Sequence, residues 1–246
     1  DHPNTFNPAI RDRLNNFLKE RVAAGKLYYV CNNKGDLWYT EYFTGIKGMH
    51  IPSLCEYTNA KYTGTRDKFV IHDRSEISVS GDLAISLGAI RSKSWTYRWE
   101  NLYSYKGVIH VHYHNGSMST FEQYTANVPL FCPSKKYGKE LFHQGKMFAD
   151  LTFYKIEKKP EPEDLNNPNS LRNPEILDKW FDTCDFYDQD NMKHVQYFDS
   201  PQHLEHLLRT VNCREISQQM AAYNVLRRES TYARWQEILT SIQNSK

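Results

Sequence analysis

The sequence predicts an α/β fold built on a parallel sheet, and three observations predict it. From Lys68 onward, short apolar runs alternate with helix-periodic segments in the order strand, helix, strand, helix, strand, helix. Two of those runs, Gly107–Tyr113 (GVIHVHY) and Val128–Cys132 (VPLFC), are apolar enough to read as buried strands. Three polar residues stand directly before a proline, at Asn7-Pro8, Asn173-Pro174 and Ser200-Pro201, which is how helices start.

In chain order, Ile10, Leu14, Phe17, Leu18 and Val22 fall at helical spacing and predict a helix over Pro8–Ala24, ended by Gly25. Leu27–Cys31 reads as a buried strand. The polar loop 32–36 follows, with Asp36 capping a second helix over Leu37–Thr44 that ends at Gly45. Met49–Leu54 is a short strand and Tyr57–Asp67 a connector. Lys68–His72 begins the main sheet, and residues 75–88 fit no single template. Trp99–Lys106 reads as a helix, Gly107–Tyr113 as a strand, Met118–Ala126 as a helix and Val128–Cys132 as a strand. Another helix opens at Pro133-Ser134. Residues 157–174 carry four prolines and read as an exposed loop. A helix over Pro174–Tyr187, a strand over His194–Phe198, a helix from Ser200-Pro201 and an amphipathic helical tail over Glu215–Ile242 complete the reading.

The chain of 246 residues carries 39% hydrophobic and 24% charged residues, an ordinary balance for one or two packed domains. A formal net charge of +2 argues against a nucleic-acid partner, which calls for a clustered basic face. No apolar run approaches the roughly 20 residues of a membrane span. Five widely spaced cysteines without a CxxC pair argue against zinc and for free buried thiols, as in a reducing compartment such as the cytoplasm.

The chemistry concentrates in Gly107–Ser134. A buried parallel strand delivers the chain to the carboxyl edge of the sheet, where open α/β folds bind ligands. There Gly116, Ser117 and Ser119 precede a helix opening at Met118, whose free N–H groups and positive dipole end suit a phosphate or diphosphate. Glu122, one turn on, is placed to accept bonds from ribose hydroxyls. The plainer reading of Ser119-x-x-Glu122 is a capping box. His114, at the same mouth, can donate to a phosphate, whereas His112 reads as a packed residue.

The segment resembles the donor-binding helix of GT-B glycosyltransferases. The likeness rests on Gly116-Ser117-Met118-Ser119, Phe121-Glu122-Gln123 and Asn127-Val128-Pro129-Leu130. The longer pattern adds Phe131, Pro133-Ser134 and Tyr105-x-Gly107-Val108-Ile109-His110, and is similar to exostosin-like glycosyltransferases of large algal DNA viruses. It departs from that pattern at His112-Tyr113, where a Pro-Tyr pair is expected.

The resemblance implies a GT-B-like architecture with a Rossmann-type donor lobe over residues 66–225. A reduced N-terminal, acceptor-side lobe would occupy 1–65, and a C-terminal helix over 226–246 would cross back to it. It implies transfer of a sugar from a nucleotide-sugar donor, UDP-xylose or another UDP-sugar favoured, to a glycan acceptor, without a metal cofactor. Glu122 would hold the ribose; Ser117, Met118 and Ser119 would meet the diphosphate, joined by Arg74, Arg91 and Lys93. The base that takes the acceptor's proton is expected on the N-terminal side, at Asp36, with Asp73 as second choice. As a helix cap, Asp36 would serve structure alone. The competing functions are a non-catalytic nucleotide- or glycan-binding module and an interaction protein on the same fold.

Overall fold

The computed structural model describes residues 8–72, 90–91, 98–148 and 164–244, with the backbone alone at 8, 72, 90 and 91. Helix α1 (Pro8–Ala23) is followed by a small βαβ unit: β1 (Val30–Cys31), α2 (Lys34–Thr44) and β2 (Met49–His50), with β1 and β2 paired in parallel. The main sheet holds β3 (Phe69–His72), β4 (Ile90–Arg91), β5 (Gly107–His110), β6 (Leu130–Pro133) and β7 (Gln196–Phe198). Its spatial order is β4-β3-β5-β6-β7, and all four pairings are parallel.

Between and after these strands run α3 (Trp99–Leu102), α4 (Met118–Thr125), α5 (Lys135–His143), α6 (Pro174–Asp182), α7 (Pro201–Thr210) and α8 (Cys213–Asn244). The molecule is therefore mixed α/β with parallel sheets, compatible with a Rossmann-like fold. Strands β5 and β6 are buried along their whole length, because helices cover both faces. One core joins Val108, Ile109, Leu130 and Phe131 of the sheet to Phe121, Tyr124, Phe142, Phe181 and Leu204 of the helices.

Several boundaries differ from the expectation, each for a visible reason. Helix α2 starts three residues early, because Asn33 rather than Asp36 caps it. Asn33 Oδ1 accepts the Asp36 amide at 2.7 Å, and Asn33 Nδ2 donates back to the Asp36 carboxylate at 2.7 Å. That reciprocal pair places Asp36 inside the first turn. Helix α3 stops at Leu102 because the chain turns into the sheet, where the Lys106 amide bonds to the Lys68 carbonyl. The helix expected to reach Tyr187 breaks after Asp182, and a 3-10 turn over Asp185–Tyr187 follows. The apolar stripe of α1 does not enter the core: Ile10, Leu14 and Phe17 are all exposed.

In α8 the buried positions Cys213, Ile216, Met220, Asn224, Arg227 and Thr231 recur every three or four residues, so the stripe changes from apolar to polar along its length. Its polar half meets the N-terminal segment. Arg227 Nη2 donates to the Ser53 carbonyl at 2.6 Å, and Arg228 and Tyr232 both bond the Glu56 carboxylate. Among the described residues, no helix is long and apolar enough to cross a membrane.

Candidate functional site

The strand order reverses direction between β3 and β5. Ligands of open α/β sheets sit outside the carboxyl ends of the strands at such a switch point. The β5–α4 turn, residues 111–117, leaves the sheet there. Its first part is packed. The His112 ring stacks between His110, centroids 4.2 Å apart, and Phe186, 3.7 Å apart, and its Nε2 lies 3.0 Å from Thr120 Oγ1. His112 is therefore a core residue. His114 is half-buried and its Nδ1 accepts the Gly116 amide at 3.1 Å, so it shapes the turn.

Ser117 is the N-cap of α4 by its extended backbone, yet its hydroxyl caps no amide. It lies 2.8 Å from the Ser119 hydroxyl instead. The capping box read from Ser119-x-x-Glu122 does not form. The Glu122 carboxylate accepts the Tyr57 hydroxyl at 2.5 Å on one oxygen and the Trp99 indole N–H at 3.2 Å on the other. Burial, and next the adjoining Glu122, push the Tyr57 phenol well above its ordinary pKa, so Tyr57 stays a donor. A carboxylate has about four lone-pair sites, so two bonds leave Glu122 with acceptor capacity.

The N-terminal segment closes over one side of this turn. Asn32 Nδ2 reaches Met118 Sδ at 3.4 Å. Asn33 lies so close to Gly116 that a Cβ there would stand 2.7 Å from Asn33 Nδ2. A Cβ on Gly35, in the first turn of α2, would stand 2.1 Å from Asn115 Nδ2. Two βα turns, one from each parallel sheet, thus meet face to face, and glycine is needed on both sides of the contact. Asn115 is 2% exposed, and neither polar atom of its side chain has a hydrogen-bond partner among the described residues. Met118, on the open side, is 41% exposed. The helix end is thus covered by the β1–α2 turn and accessible from Met118.

The structure brings Asp36, Gly116, Ser117, Met118 and Ser119 to this junction, with the Asn33 side chain bonded to Asp36 and packed beside Gly116. Glu122 stands one turn on, against Tyr57 and Trp99. Arg91 lies in β4, its backbone paired with Ile71; its side chain, and Asp73, Arg74 and Lys93, lie outside the described residues. Asn33, Asn115, Tyr57 and Trp99 were not anticipated. Of these, only Asn33 carried a sequence signal, as the asparagine three residues before an aspartate at a helix start.

No protein-family model, no curated protein and no solved structure matches this chain. Among the described residues, no group of three or more His, Cys, Asp or Glu side chains is placed to hold a metal ion.

Proposed function

We propose that the protein is a GT-B-type glycosyltransferase that binds a nucleotide-sugar donor, a UDP-sugar such as UDP-xylose favoured, at the start of α4. A glycan would be the acceptor. The observation that carries this reading is the meeting of the β1–α2 and β5–α4 turns at the switch point of the main sheet. A small βαβ unit facing a larger parallel sheet, carboxyl edge to carboxyl edge, is the arrangement a two-lobed transferase needs to hold a donor on one side and an acceptor on the other.

In this reading the diphosphate approaches from the Met118 side and meets the amides of Ser117, Met118 and Ser119, which make no backbone bond within the described chain. Those amides and the helix dipole offset the charge that develops on the leaving diphosphate. Glu122 accepts the ribose hydroxyls with the capacity that Tyr57 and Trp99 leave free. His114, whose Nδ1 holds the turn, stays a proposed donor to the phosphates through its other ring nitrogen. Arg74, Arg91 and Lys93 stay the proposed cationic partners of the diphosphate, on the resemblance alone. So does the base, Asp36 first and Asp73 second. For Asp36 the geometry adds one support: Asn33 ties its carboxylate to the junction.

A thermal-shift series with UDP, GDP, dTDP and their sugars tests the donor site, because a ligand that binds only the native state raises the melting temperature. A uridine nucleotide is expected to do so, and Glu122→Gln to remove most of that rise. The reading fails if no nucleotide shifts melting at millimolar concentration. The bonds from Tyr57 and Trp99 favour a second reading, an interaction protein in which Glu122 only ties α4 to its neighbours. Glu122→Gln then lowers stability by about 1–2 kcal/mol and changes nothing else.

A further inference from the structure

A second site is built where β2, the loop 188–191 and the polar half of α8 enclose a cleft of about 510 Å³. That volume falls in the range of small-molecule sites, about 300–1,000 Å³. Its walls carry Lys34, Arg227 and Arg234 against the carboxylates of Asp188 and Asp190, with His50 beside them. Three cations and two carboxylates line the walls, and a third carboxylate, Asp185, lies behind them.

Their pairing is unequal. Lys34 is neutralised by Asp188 at 2.5 Å. Arg227 is not neutralised directly, although it is only 4% exposed. Its Nε donates to the Asn191 amide oxygen at 2.8 Å and its Nη2 to the Ser53 carbonyl at 2.6 Å, both uncharged acceptors. Its Nη1 has no hydrogen-bond partner among the described residues. The carboxylate that balances it, Asp185, is reached only through Asn191, whose Nδ2 donates to Asp185 Oδ1 at 2.7 Å. That same oxygen lies 3.0 Å from His50 Nε2, so one carboxylate serves two neighbours. Arg234, two turns beyond Arg227 on the same face of α8, is exposed and makes no ion pair among the described residues.

A buried guanidinium held by neutral groups is costly unless an anion completes it. The low-dielectric walls of the cleft focus its field toward the opening. We propose that this cleft binds a small ligand through an oxyanion, a phosphate or a carboxylate. Arg234 and Lys34 supply N–H donors at the mouth, and Arg227 supplies positive charge behind them. The proposal does not rest on nucleotide binding at α4, which lies on the other side of the β1–α2 turn.

Isothermal titration of the full chain with inorganic phosphate, glucuronate and glucose tests it. Phosphate or glucuronate is expected to bind saturably at millimolar concentration or below, and which of the two binds tighter identifies the oxyanion. Glucose, the neutral counterpart of glucuronate, is expected not to bind. Arg234→Ala, an exposed position that leaves the fold intact, should weaken the anion about tenfold or more, the loss that removing one charge-assisted bond brings. Arg227→Gln should do the same if it folds; otherwise Lys34→Ala serves beside Arg234→Ala. Because neither probe carries a ribose for Glu122 to hold, the loss in the cleft variants is what separates this site from the donor site: an anion held at the start of α4 would keep its wild-type affinity in Arg234→Ala. Saturation by neither anion, or wild-type affinity in every cleft variant, overturns the proposal.

Discussion

At the scale of single residues, burial decides chemistry. All five cysteines are free and buried. Burial raises the Cys55 and Cys213 thiols to about 11 and Cys132 further still, so little nucleophilic thiolate forms at neutral pH. The native protein should therefore react negligibly with a thiol reagent over minutes, and all five should react in denaturant; rapid native labelling of Cys55 would contradict its placement. Glu56 shows the opposite effect. Its bonds from Tyr232 and Arg228 hold its carboxyl below the ordinary range, Tyr232 contributing most. A carboxyl depressed by folding stabilises the native state above its unfolded pKa, and that contribution disappears as the pH falls through the folded value. Glu56→Gln should then melt below the wild type at neutral pH, with the gap narrowing through the acidic carboxylate range. A gap unchanged down to strongly acidic pH would exclude the assignment.

Among elements, the contact that matters is the one between two helix starts. Gly35 in α2 and Gly116 before α4 let the turns approach, and Asn115 and Asn33 fill what the missing side chains leave. Gly35→Ala should push α2 off Asn115 and cost about 1–3 kcal/mol, as overpacking a close contact does. Chemical denaturation measures it, and a variant as stable as the wild type would show that the turns part freely. Strong local signals located these elements well: the cap-and-proline starts at Asn173 and Ser200 stand in the structure as read, each side chain bonding an amide of the first turn. The Asp36 cap was misplaced because Asn33 competes for the same turn, and only the reciprocal bond between them settles which residue caps. The bonds of Glu122 had no local signal at all, since Tyr57 is 65 residues away and Trp99 is 23.

The molecule as a whole depends on α8. Its apolar half covers the sheet through Cys213, Ile216 and Met220, while its polar half ties down Ser53 and Glu56. The N-terminal βαβ unit has strands of two residues each, too short to stand alone, so it borrows its order from α8 and from the β5–α4 turn. Unfolding should consequently be a single transition. Tryptophan fluorescence, with Trp38 in α2 and Trp180 and Trp235 elsewhere, should coincide with far-ultraviolet circular dichroism. Separate midpoints would mean that the unit folds by its own contacts.

By itself, the sequence determined the parallel α/β class, the positions of every strand but β4 to within a few residues, most helix starts and the burial of the cysteines. These follow from periodicity, caps and apolar runs, which act over a few neighbouring residues. Tertiary structure alone decided the strand order and its switch point, the meeting of two distant βα turns, the partners of Glu122 and the polar stripe that carries Arg227 into a cleft. Those depend on which distant surfaces exclude water together, and no local pattern along the chain encodes that choice.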